Sequence, residues 1–265
     1  GIWNVQNYEN TVTQGMLTLR AATNWSVNAV YARLIMKVGP ENVVATAHKM
    51  GITTPLEPNP AISLGGLRTG VSPLEMASAY GTLANGGVHV RPTGIVRVTD
   101  DGGRVIFNPI PEPERVLSRP TAVQASLMLH DVIEVGTGTQ AKIGTWAAGK
   151  TGTTQSYRDA WFVGWAGDVS TAVWVGHRAG QISMNRVHGA PLTGGSFPAR
   201  IWRQFMLGAT KSRSAAVTPA ETGGSGEMVV RVCEDSMVLA NKRCPKTVEL
   251  LLDPALVPSK TCTLH

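Results

Sequence analysis

The sequence predicts an α/β protein built on an antiparallel sheet with helices around it. Residues 146–153, 160–166 and 171–177 are consecutive runs of strand length, the last two joined by a short turn at Gly167-Asp168. Strands that follow one another through short turns pair antiparallel. Segments with helical periodicity lie on both sides of these runs, closed by Gly or Gly-Pro. The 265 residues, 43% hydrophobic and 16% charged, are enough to bury a substantial core.

In chain order, residues 24–38 carry apolar side chains at 27, 30, 31, 34, 35 and 38, a helical period that stops at Gly39-Pro40. A second helix is expected over 40–50, ending at Gly51. The best-signalled helix follows Ser72, with Pro73 at its first position, Glu75 closing a capping box and Gly86-Gly87 as the stop. Residues 94–100 and 104–107 flank Asp101-Gly102-Gly103, a hairpin signal. Pro109, Pro111 and Pro113 then impose an extended connection. A helix over 119–135 ends in the glycine-rich Gly136–Thr139 loop, and a last amphipathic helix over 197–207 stops at Gly208.

Residues 209–227 read as a linker and 228–265 as a small Cys-containing module with one strand-like run, 228–233, leaving 1–208 as the main domain. The sequence opens at Gly1 without an initiator Met, and it holds no leader and no 18-residue apolar stretch. Any anchor or export signal is therefore expected upstream.

The formal charge of +6 is spread along the chain. Residues 1–208 hold 17 basic against 12 acidic side chains, and the rest 7 against 6. No run of four Lys/Arg occurs, which argues against nucleic-acid binding. Cys233, Cys244 and Cys262 all fall in the last 33 residues. Such clustering suggests a disulfide in an oxidising compartment. The competing idea is zinc with His265 as fourth ligand, and the absence of a C-x2-4-C pair weighs against it.

Gly144–Thr151 satisfies the P-loop pattern G-x-x-x-x-G-K-[ST], but that chemistry needs a helix after the Thr. The continuation, Gly152-Thr153-Thr154-Gln155-Ser156-Tyr157, has no helical apolar period. Lys150-Thr151-Gly152-Thr153-Thr154 reads instead as a strand edge. Gly152 permits close backbone approach, the hydroxyls of Thr151 and Thr153 share a face, and Lys150 sets a cation beside them. Such an edge can pair with an extended peptide and hold its carboxylate, although an ordinary Thr-rich edge strand fits equally well. Ser26-Val27-Asn28 is by itself an unremarkable helix start. The six His are scattered and no H-E-x-x-H occurs, so no metal or other cofactor is expected at a catalytic site.

Together these pieces resemble the transpeptidase domain of class A, bifunctional penicillin-binding proteins. The resemblance runs through GMLTLRAATNWSVN (15–28), Leu64-Gly65-Gly66, VSPLEMASAYGTLANGG (71–87), Gly136-Thr137-Gly138, AGKTGTTQ (148–155), DAWFVGW (159–165), residues 194–205 and the closing Cys262-Thr-Leu-His265. It implies the fold of serine transpeptidases and class A β-lactamases, with a helical subdomain beside the sheet and the N-terminal portion missing.

It also implies roles for particular residues. Ser26 would relay protons, Asn28 would hold the substrate amide oxygen, and Lys150 with Thr151, Gly152, Thr153 and Thr154 would bind the carboxylate of a D-Ala-D-Ala stem peptide or a β-lactam. The family's nucleophile lies in an S-x-x-K motif. No Ser in this sequence is followed by Lys at the third position, so the chain alone is expected to be inactive. Implied partners are peptidoglycan, an upstream glycosyltransferase domain and a membrane anchor, on the outer side of the plasma membrane. A β-lactamase-like hydrolase and a non-enzymatic β-lactam sensor are the alternatives.

Overall fold

A computed structural model describes residues 5, 7, 16–211, 228–233, 235, 236, 238–252 and 257–265. The expected linker lies outside the described residues from position 212 to 227. The elements are α1 (Leu19–Asn24), α2 (Asn28–Val38), α3 (Pro40–Lys49), a 3-10 turn (Pro60–Leu64), α4 (Pro73–Ala84), β1 (Val88–His89), β2 (Val98–Thr99), β3 (Val105–Phe107), β4 (Glu114–Arg115), α5 (Arg119–Glu134), β5 (Ala148–Thr153), β6 (Asp159–Ala166), β7 (Val169–Gly176), α6 (Phe197–Ala209), β8 (Met228–Cys233) and β9 (Thr247–Leu252).

The central sheet has the order β5-β6-β7, antiparallel throughout, so among the described residues β5 is an edge. Its register sets Lys150 opposite Val163 and Thr151 opposite Phe162. By the two-residue period, Phe162 and Val173 face one way and Trp165 the other. On the first face α6 lays down Trp202, whose ring meets Phe162 at 5.1 Å and whose indole N–H donates to the Thr171 carbonyl at 3.2 Å. Phe162, Trp202 and Met206 are fully buried there. On the second face Tyr80 of α4 meets Trp165 edge-on at 6.2 Å, and the Ser170 hydroxyl donates to the Ala77 carbonyl at 2.8 Å. An aromatic layer on each face, burying large apolar area, holds the sheet against its helices.

The helix expected within 24–38 is α2, which starts later, at Asn28, and a separate short helix, α1, ends at Asn24 before it. The chain breaks at Trp25-Ser26-Val27, where Ser26 adopts a left-handed conformation (φ 52°) before α2 begins at Asn28. The preceding six-residue α1 is too short to display a period. It is held by the Thr18 hydroxyl, which accepts from Ala21 N–H at 3.2 Å, and by an ion pair between Arg20 and Asp131 of α5. Val27 offers α2 no side-chain cap, and Asn7 Oδ1 accepts from Ala29 N–H at 3.0 Å instead.

α4 begins as its sequence specified. The Ser72 hydroxyl accepts from Glu75 N–H at 3.3 Å while Glu75 Oε2 accepts from Ser72 N–H at 2.8 Å. The β2–β3 hairpin is also present. The first strand of the central sheet starts at Ala148 rather than Trp146, whose ring stacks on His130 at 5.2 Å. The 228–265 module holds two strands, not one: β8 pairs antiparallel with β9.

Candidate active site

Two local features create the site: the left-handed turn between α1 and α2, and the edge strand β5. The turn is fixed from behind. Thr137 N–H donates to the Asn24 carbonyl at 3.0 Å. A side chain on Gly136 would overlap that same carbonyl oxygen, so only glycine lets the end of α5 come this close. Arg20 and Asp131 tie the same two helices together one turn away.

Across the gap stands Lys150. Its Nζ donates to Ser26 Oγ at 3.0 Å and to the Thr151 carbonyl at 3.0 Å, with Thr151 Oγ1 at 3.4 Å. Thr151 Oγ1 also meets Thr137 Oγ1 at 2.7 Å. All of these partners are neutral, and among the described residues no carboxylate lies within ion-pair distance of Lys150. Burial pushes the Lys150 ammonium down to about 8. A cation in this state remains charged at neutral pH and gains from any anion that reaches it.

The structure therefore brings Ser26, Lys150 and Thr151 together. Asn28 stands two residues beyond Ser26 at the head of α2. The hydroxyl oxygens of Thr153 and Thr154 each accept a bond from the fold. Thr153 Oγ1 accepts from Gly194 N–H at 3.0 Å, and Thr154 exchanges two bonds with Asp159, Thr154 N–H to Asp159 O at 3.0 Å and Asp159 N–H to Thr154 Oγ1 at 2.8 Å. The close backbone approach expected at Gly152 is made by Gly194, whose missing side chain would collide with the Gly152 and Trp161 carbonyls.

The P-loop reading fails as its flanks foretold: Lys150 and Thr151 lie in β5, and a 3-10 turn (Gln155–Tyr157) followed by β6 occupies the place of the required helix. Thr137 is a site residue that received no role from the sequence. Its only signal was its place in the Gly-Thr-Gly of the α5 exit loop.

Comparison with known proteins places the chain. Residues 1–186 match the family model of the penicillin binding protein transpeptidase domain, and the chain belongs to that family. Penicillin-binding protein 1A of Aquifex aeolicus is 31% identical over 264 residues, covering 98% of this chain and 34% of the relative. Penicillin-binding protein 1F of Bacillus subtilis is 31% identical over 225 residues, covering 83% of this chain and 30% of the relative. The chain thus spans about a third of the length of these curated relatives.

Among solved structures, the PonA1 protein of Mycobacterium tuberculosis in complex with penicillin V superposes with a TM-score of 0.74 at 29% identity, over 81% of this chain and 62% of that one. Penicillin-Binding Protein 1A of Haemophilus influenzae shares the fold over 98% of this chain and 43% of its own, with a TM-score of 0.80 at 20% identity. The fold is that of the serine transpeptidases, with mixed helices and antiparallel sheet. No helix among the described residues is long and apolar enough to cross a membrane.

Proposed function

We propose that this chain supplies the Ser26–Lys150 half of a peptidoglycan D,D-transpeptidase that β-lactams inhibit by acylating it. The observation that carries this is the Lys150 ammonium, 3.0 Å from Ser26 Oγ and bonded, among the described residues, to neutral groups alone at β5. An extended peptide ending in D-Ala-D-Ala would lie along β5, with its terminal carboxylate taken by Lys150 and the Thr151 hydroxyl.

The nucleophile is a serine outside these 265 residues, in an S-x-x-K motif. Its oxygen attacks the penultimate carbonyl carbon and its proton passes to the motif's lysine. The oxyanion is stabilised by backbone N–H groups, that of Thr153 among them. Collapse breaks the peptide bond, and the departing D-Ala amine takes its proton through Ser26, leaving an acyl-enzyme. Asn28 holds the substrate amide oxygen. An amine from a neighbouring stem peptide then attacks the ester and releases the serine with a proton, forming the cross-link.

In this reading residues 1–208 are the transpeptidase part, and 209–227 connect it to the 228–265 module. The whole protein works on the outer face of the plasma membrane, with a glycosyltransferase domain and anchor upstream. The hydrolase alternative needs a carboxylate free to activate water. Glu75, the buried acid among the described residues, has both oxygens committed to Thr53, Thr54 and Ser72.

Fluorescent penicillin tests the reading. The intact protein that carries this chain together with the upstream serine is expected to label covalently. The 265 residues alone should not label, and Lys150→Ala in the intact protein should slow acylation by about 10²–10³-fold. Labelling of the isolated chain, or an unchanged rate in Lys150→Ala, would refute it.

A further inference from the structure

The small module brings three thiols and an imidazole to one place. The Sγ atoms of Cys233, Cys244 and Cys262 lie within 4.8 Å of one another. Cys233 Sγ, a carboxylate oxygen of Asp235 and a ring nitrogen of His265 form a second group of the same dimensions. Cys233 is common to both, so His265 stands beside the sulfur triangle. Three segments distant in sequence converge here: the end of β8, the 241–244 turn and the 260–265 segment.

We propose that Cys233, Cys244, Cys262 and His265 bind a single zinc-class divalent ion, with Asp235 orienting the imidazole. Tetrahedral thiolates about 2.3 Å from zinc stand roughly 3.8 Å apart, which the observed spacing accommodates with small rotamer changes. His265 Nε2 and Asp235 Oδ2 are 3.1 Å apart, the carboxylate–histidine arrangement that fixes ring orientation at metal sites.

Asn241 clamps the frame. Its Nδ2 donates to the carbonyls of Cys262 at 2.8 Å and His265 at 3.0 Å, while its backbone N–H donates to Cys244 Sγ at 3.4 Å. One residue, through its side chain and its backbone N–H, thus holds three of the four ligand residues in register.

Sequence spacing weighed against zinc because only Cys262 and His265 are close neighbours. The hairpin supplies the missing proximity by folding Cys244 back onto Cys233. A disulfide fits the arrangement less well: pairing any two thiols strands the third against the other sulfurs, and Cys233 and Cys262 are both buried. A metal uses all three.

The module also needs such a staple. Its apolar core is Val230 and Val232 with Leu239, Val248 and Val257 around them, and a two-stranded sheet with so small a core is marginal by itself. Binding would release the thiol protons and contribute directly to folding the module.

The test uses the full chain, purified anaerobically without chelator. Elemental analysis should find one zinc per chain, and all three thiols should titrate after unfolding with chelator. Replacement by cobalt(II) should give a thiolate-to-cobalt charge-transfer band in the near ultraviolet and the intense visible bands of a tetrahedral ion. His265→Gln should weaken the visible bands, and Asp235→Asn should lower metal affinity by about 10–100-fold. Two thiols lost to a disulfide with no stoichiometric metal, or an octahedral cobalt spectrum, would overturn the proposal. Both readouts come from the wild-type chain, so a variant that fails to fold leaves the outcome decided.

Discussion

Glu75 and Lys150 are both charged groups drawn out of water, and the fold treats them oppositely. Glu75 accepts six hydrogen bonds, from the N–H and hydroxyl groups of Thr53, Thr54 and Ser72, at 2.6–3.0 Å. Burial alone would raise its carboxyl, but these donors outweigh it and hold the group far below the usual carboxylate range. Among the described residues Lys150 bonds to Ser26 Oγ and the oxygens of Thr151, all neutral, and burial draws its ammonium down to about 8. A saturated charge is structural: it ties the start of α4 to the 53–54 segment and has nothing left to offer a ligand. An undersaturated charge is held at a cost, and an incoming carboxylate can repay it.

Substitutions can break this contrast. The largest effect is expected at Lys150 itself, where Lys150→Ala should remove most acylation by penicillin in the intact protein and leave the fold intact. Gly136→Ala comes next. A methyl group there overlaps the Asn24 carbonyl oxygen, so the α1–α2 turn must move, and a loss of about 3 kcal/mol in chemical denaturation together with slower acylation is expected. Glu75→Ala should cost about 2–3 kcal/mol by orphaning buried donors, with the acylation rate of the folded protein preserved. If acylation fell with Glu75 but not with Lys150, the contrast would be inverted.

The smallest effect lies in the pH dependence of stability. Lys150 has a folded value of about 8, below the ordinary lysine value of about 10.5. The unfolded chain therefore binds more protons between these limits. Stability should rise with pH from about 8 towards 10.5, by an order of 1–3 kcal/mol. Lys150→Met should be more stable than wild type near neutrality and lose that advantage over the same window, as denaturation midpoints against pH would show. Glu75 has the opposite sign. Its contribution is complete above the usual carboxylate range and is lost progressively as pH falls from that range into strong acid, so Glu75→Gln should flatten the acid limb.

What the sequence disclosed follows the range of the interactions. The Ser72–Glu75 capping box was legible because both partners lie within one helical turn. The further hold of Glu75 on Thr53 and Thr54 was not, since those residues lie 22 and 21 positions away. The three central strands and their antiparallel order were legible from their runs and short turns. α1 was not, because six residues show no period and its stability comes from Asp131 on α5, 111 positions on from Arg20. β9, TVELLL, lacks a clean alternation, and its pairing with β8 spans the intervening cysteine turn.

At the site, the residue types of Ser26, Lys150 and Thr151 suggested chemistry that became specific only through a family resemblance. Their convergence brings together Ser26 and Lys150, 124 positions apart in the chain. Thr137 carried no signal of its own, since its hydroxyl gains a role only when α5 delivers it to Thr151.

The central claim is that Lys150 is a cation waiting for a carboxylate, and its own titration tests this most directly. With lysine side chains carbon-13 labelled, and Lys150 assigned from Lys150→Arg, its ε-methylene resonance can be followed by NMR against pH. This is done with and without a peptide ending in D-Ala-D-Ala. We expect a midpoint near 8 in the free protein that moves upward when the carboxylate binds. A midpoint at the ordinary lysine value, unmoved by the peptide, would contradict the account.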